Sequence, residues 1–148
     1  MSRKILFYMI PALILGMGLG WLTRLTFDLS PFPASVSHFA LIAPLIGATE
    51  ELIFRGFIQG YLRPIGRIFS VVYTSAVHTC YKLLVILSLS VPLQFDFFFL
   101  VIWTFLGGVV FGALKESAKS SVPPVIAHAM FDIILYSGYA VAPVWVWS

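Results

Sequence analysis

At 148 residues, with 60% hydrophobic side chains and only 10% charged, the chain has too few polar groups to cover a water-facing globule, in which charged residues run near a quarter. Its formal charge of +3 is scattered one or two basic residues per loop rather than gathered on a stripe, which speaks against a nucleic-acid surface. The single cysteine, Cys80, rules out an intramolecular disulfide framework and any cysteine-based zinc or redox motif, and is expected as a small apolar packing residue. What remains is an all-α, polytopic membrane protein, with residues 1–148 in one membrane-embedded domain.

Taken in chain order, apolar runs close to the ~20 residues that cross a bilayer place five transmembrane helices at about 5–22, 38–62, 68–91, 97–114 and 122–147. The first follows Arg3 and Lys4, runs long and lacks a small-x-small cleavage site, so it is expected to stay as a span rather than be removed as a signal peptide. Ser30-Pro31-Phe32-Pro33 marks the first loop, and His38 opens the second span at the interface. Arg63-Pro64-Ile65-Gly66-Arg67, Pro92 and Ser120-Ser121-Val122-Pro123-Pro124 mark the later joints. Every connection after the first is short, so antiparallel neighbours in one compact bundle are expected.

Basic residues alternate between sides. Arg3, Lys4, Arg63, Arg67, Lys115 and Lys119 fall on one side, and Arg24 lies beside Asp28 and Asp96 on the other. By the positive-inside rule this places the N-terminus in the cytoplasm. Tyr139, Trp145 and Trp147 suit an interfacial aromatic belt, as does Trp21. Gly16/Gly20, Gly56/Gly60 and Gly108/Gly112 have the Gly-x-x-x-Gly spacing that lets helix backbones approach, read here as close packing within the bundle.

The informative residues are those a bilayer penalises. Glu50, Glu51, Arg55, His78, Lys82, His128 and Asp132 all fall inside expected spans. Each acid or Arg at mid-span costs about 2.5 to 3.5 kcal/mol even on a lenient scale, so the set must pair or line a wet cavity. Glu51 with Arg55 and His128 with Asp132 are four apart and share helix faces. Glu50 is turned about 100° from Glu51 and is left to face another neighbour. At ~1.5 Å per residue, Glu50, His78 and His128 lie roughly 18, 15 and 9 Å from the cytoplasmic ends, compatible with one cavity. A buried network that only fixes packing is the alternative to chemistry. Lys82, one turn after His78, is open to three readings: it snorkels outward, pairs with an acid, or lowers the charge state of His78.

Glu50-Glu51-Leu52-Ile53-Phe54-Arg55-Gly56 resembles the Glu-Glu-x-x-x-Arg motif of the CAAX protease and bacteriocin-processing family, also called Abi. Residues 74–78 resemble its Phe-x-x-x-His motif and residues 128–132 its His-x-x-x-Asn motif, over a core of about 40–135. Thr74 stands where the family has Phe, with Tyr73 adjacent, and Asp132 stands where Asn is typical. The resemblance implies an intramembrane glutamate-type endopeptidase without a cofactor, acting on a membrane-associated or lipidated peptide. In it Glu50, assisted by His78, activates water, His128 with Asp132 stabilises the oxyanion, and Glu51 and Arg55 support the site. Among eukaryotic relatives it implies cleavage after a prenylated cysteine, and among prokaryotic ones peptide maturation, bacteriocin self-immunity or surface-protein regulation.

Three rival readings remain at this stage. Glu50, His78 and His128 are a two-histidine, one-carboxylate zinc set, although no His-Glu-x-x-His is present. A non-catalytic immunity or scaffold protein would use the same fold to bind a partner. A proton-coupled carrier would also use Glu and His relays, but lacks here the inverted repeat and broken helices expected of it.

Overall fold

The computed structural model describes residues 3–88 and 96–139. Within them the chain is all helix without strands: α1 (Arg3–Thr26), α2 (His38–Glu51), a π-helical stretch (Leu52–Ile58), α3 (Gln59–Leu62), α4 (Arg67–Ser88), α5 (Phe97–Ala118) and α6 (Val122–Tyr136). Helix α2, the π stretch and α3 run on without a break and fill the expected second span, 38–62. Helices α1, α4 and α5 each have the length and apolarity to cross a membrane. Pro92, Trp145 and Trp147 lie outside the described residues.

Local chemistry sets the helix ends. The Ser37 hydroxyl accepts from the Ala40 amide at the start of α2, and the Asp96 carboxylate accepts from the Phe98 and Phe99 amides at the start of α5. Lys119 closes α5 in the left-handed conformation. Pro123 and Pro124 occupy the first turn of α6, where a missing N–H costs nothing.

Two ends depart from expectation. Helix α5 continues through Lys115, which the expected end of the fourth span at about 114 had placed in the following loop. Helix α6 stops at Tyr136 although the apolar run continues, because Gly138 turns the chain at φ 91°. Arg24 completes that stop, donating from Nη1 to the carbonyls of Leu135 at 2.9 Å and Ser137 at 2.8 Å. Four percent exposed, Arg24 therefore ties α1 to the end of α6 rather than standing in a loop.

Helix α6 lies between α1 and α2, while α5 packs chiefly on α4 and more lightly on α6 and α1. Two of the three glycine pairs make this packing possible. A Cβ on Gly16 would overlap the Ala127 carbonyl, and one on Gly20 would come 2.9 Å from the Phe131 carbonyl oxygen, so α1 rests on the α6 backbone. Gly108 and Gly112 similarly admit Ser75 and Val71 of α4. Gly56 and Gly60 face no such neighbour, and their pair is not a packing motif.

The distribution of polarity is inverted relative to a water-soluble domain. Phe7, Ile14, Leu45, Ile68, Leu84 and Phe98 are among the exposed large apolar side chains, whereas Arg55, Gln59 and Glu51 are the largest side chains fully buried. Lipid satisfies the outside at no cost, and the interior is free to hold the groups that lipid rejects. Cys80 is exposed on α4, so it does not pack inside as expected; a thiol is apolar enough to face the same surroundings as its neighbours.

Candidate active site

Four helical segments bring the penalised residues together: α2 supplies Glu50 and Glu51, the π stretch Arg55, α4 His78 and Lys82, and α6 His128 and Asp132. All seven are buried. The expected pairs form, Arg55 Nη1 lying 3.1 Å from Glu51 Oε1 and His128 Nε2 3.8 Å from Asp132 Oδ1.

Glu51 and Arg55 do more than neutralise each other. Arg55 Nη1 also lies 3.0 Å from His78 Nδ1, and Glu51 Oε1 lies 3.0 Å from His128 Nδ1. A four-membered chain, His78–Arg55–Glu51–His128, therefore runs behind the site and grips each imidazole by its outer nitrogen. Arginine has donors only, so His78 accepts at Nδ1 and carries its hydrogen on Nε2. Glu51, paired with Arg55, accepts, so His128 donates from Nδ1.

Glu50 closes the ring in front. Its Oε2 lies 3.4 Å from His78 Nε2 and 4.0 Å from His128 Nε2. Its Oε1 is held by Lys82 Nζ at 2.5 Å. Glu50 thus faces neighbours on α4 and α6 rather than Arg55, and Lys82 pairs with an acid, one of the three readings open to it. Among the described residues, Glu50 Oε2 and His78 Nε2 are buried atoms with no hydrogen-bond partner. Both point at the same small volume.

Aromatic rings and a glycine fix the imidazoles. Phe54 stacks on His78 with centroids 4.2 Å apart, and Phe111 lies 5.3 Å from His128. Tyr73, next to Thr74, is exposed and stacks on Phe69 instead, so the ring against His78 comes from Phe54. Gly47, one turn before Glu50, lets α6 approach: a Cβ there would stand 2.5 Å from Asp132 Oδ2 and 2.8 Å from His128 Cδ2.

The π stretch positions Arg55. Wide turns of this kind collect at functional sites because they rotate the following side chains out of the ordinary helical register. Here the Lys115 ammonium donates to the Arg55 carbonyl. Beyond it Glu116 accepts from Arg63 at 2.5 Å and from Gln59 at 3.1 Å, binding α5 to the end of the same helix. Sequence reading missed Gly47, Phe54 and Lys115 as parts of the site; only the position of Gly47 and Phe54 near the Glu-Glu pair offered a signal.

The ring faces a cavity with about 100 Å³ open to the centres of water-sized molecules, several times what one buried water requires. Its lining also carries an apolar wall, with Leu19 of α1, Phe27 just beyond that helix, Leu100 and Trp103 of α5 and Leu135 of α6. Among the described residues no three His, Cys, Asp or Glu side chains are arranged to hold a metal ion. A carboxylate oxygen and two imidazole nitrogens meeting at the edge of this cavity are suited to proton transfer.

Comparison with known families matches residues 32–134 to the family model described as type II CAAX prenyl endopeptidase Rce1-like. The match takes in every residue of the ring. No curated protein matches the chain, and no solved structure does.

Proposed function

From the premise that this chain belongs to the type II CAAX prenyl endopeptidase Rce1-like family, a family of membrane proteases, we propose that it hydrolyses a peptide bond of a membrane-associated or lipidated peptide, with Glu50 as the base. The observation that carries this reading is the disposition of Glu50: one carboxylate oxygen tied down, the other buried, unpartnered and facing two imidazole nitrogens. An oxygen so placed accepts a proton from a water held between it and the histidines.

In the proposed step that water attacks the scissile carbonyl carbon, and its proton passes to Glu50 Oε2. His78 assists through Nε2–H, which donates to the water oxygen and aligns it. His128, as an imidazolium, donates through both nitrogens: Nδ1 to Glu51 and Nε2 to the oxygen that becomes negative. Asp132, whose Oδ1 lies 3.8 Å from the same Nε2, balances that charge. The carbon–nitrogen bond then breaks as Glu50 returns the proton to the leaving amine, so no covalent enzyme intermediate forms. With Glu50, Glu51 and Asp132 ionised against Arg55, Lys82 and the His128 imidazolium, the ring carries no net charge, which is the condition under which ions are tolerated away from water.

The substrate follows from the site's surroundings. A wall of Leu19, Phe27, Leu100, Trp103 and Leu135 suits an acyl or prenyl chain or an apolar peptide segment, and a site within the bilayer is reached most directly by chains already anchored there. The test compares new peptide N-termini in membranes bearing the native protein and in membranes bearing Glu50→Gln. Products found only with the native protein support the reading and identify the substrate. Identical peptides from both would overturn it in favour of a binding or immunity protein on the same fold.

A further inference from the structure

Lys82 lies outside the three motifs, yet it makes the shortest polar contact in the ring. A glutamate carboxylate rotates about its last bond with little resistance, so a general base on this side chain presents a defined oxygen only if something fixes the other. Lys82 Nζ stands 2.5 Å from Glu50 Oε1. The remaining oxygen, Oε2, is turned to the nitrogens of His78 and His128. Lys82 itself is buried on α4, one turn beyond His78, so the same helix delivers both the clamp and one of the two imidazoles.

We propose that Lys82 is a positioning residue of the hydrolytic site: its ammonium anchors Glu50 Oε1, so that Oε2 alone is offered to water. The inference rests on Glu50 acting as the base. Lys82 also supplies a positive charge that the ring otherwise lacks. Without it, Glu50, Glu51 and Asp132 face Arg55 and the His128 imidazolium alone, and the carboxylate nearest the attacking water turns toward those cations and away from its working direction. The ammonium touches neither the water nor the scissile bond in this arrangement, so its effect falls on turnover rather than on substrate binding.

The experiment uses the full chain in lipid vesicles, with a peptide whose cleavage in native membranes falls sharply but stays measurable in Glu50→Gln membranes as substrate. Lys82→Met is expected to lower kcat about 100-fold, the scale of a small misplacement of a reacting group, with KM changed less than about twofold. Lys82→Arg is expected to recover part of the loss, and adding Lys82→Met to Glu50→Gln is expected to reduce the residual rate no further. A merely structural lysine would lower both backgrounds alike. Should Lys82→Met fold poorly, Lys82→Ala supplied with ethylammonium provides a second reading, its activity rising with amine concentration. Native kcat in Lys82→Met, or no response of Lys82→Ala to amine, would overturn the proposal while leaving Glu50 as the base. Identical peptides from native and Glu50→Gln membranes would overturn the hydrolytic reading itself, and this role with it.

Discussion

The two faces of α6 are held in opposite ways. Toward α1 there is almost nothing but proximity: Gly16 and Gly20 bring one backbone against the other, and Arg24 closes the far end on carbonyl oxygens. Toward α2 the same helix presents His128 and Asp132 to a ring of charges in which nearly every bond is directional. The first face decides where α6 stands, through van der Waals contact that survives moderate repacking. The second decides what α6 does, through hydrogen bonds that tolerate little displacement. Stability and activity are therefore expected to separate by face.

Changes on the ring side should be the most damaging to activity. Glu50→Gln keeps the shape of the side chain and removes the base, so hydrolysis is expected to fall about 10²- to 10⁴-fold with the helical fold retained in detergent. Loss of the fold in that variant would mean that the two faces are not separable. Gly47→Ala probes the same face without touching a charge. Its methyl group would press on Asp132 and His128, and a displacement of that kind is expected to cost about 100-fold in kcat, measured beside a circular-dichroism check of helix content.

The α1 side should respond in stability instead. Arg24→Met leaves the carbonyls of Leu135 and Ser137 without their donor, an expected loss of about 1 to 3 kcal/mol, read in thermal or denaturant unfolding. The activity of the molecules that remain folded should persist, because Arg24 makes no contact with the ring. The mildest change sharpens the contrast between the glycine pairs. Gly60→Ala meets only the end of the Lys115 side chain, so it is expected to stabilise the helix by no more than about 1 kcal/mol, where Gly16→Ala would destabilise the seam.

Much of this arrangement was legible because it is local. Glu51 and Arg55 pair across one helical turn, and so do His128 and Asp132, as spacing alone requires. The second span also ends where the Arg-Pro-x-Gly-Arg turn placed its boundary. The bond between Lys82 and Glu50 was not legible, since 32 residues separate them and a lysine one turn from a histidine is compatible with several fates. Nor was the π stretch, because seven residues of wider winding leave no mark on the hydrophobic period, and the Lys115 ammonium that meets the Arg55 carbonyl comes from the distant α5. The early end of α6 escaped for a related reason: the sequence remains apolar, and Gly138 and Arg24 act together to stop the helix. Thr74 in the place of an aromatic drew attention to Tyr73, whereas the ring that His78 needs was already present in Phe54.

The brevity of α6 bears on how water reaches a site surrounded by lipid. Fifteen residues span only ~22 Å, against a hydrocarbon layer of ~30 Å. A helix that falls short of the layer draws the two leaflets toward each other around it. Headgroups and their hydration would then dip toward His128 and Glu50, making the thinnest patch of the surrounding bilayer the one beside the residues proposed to activate water.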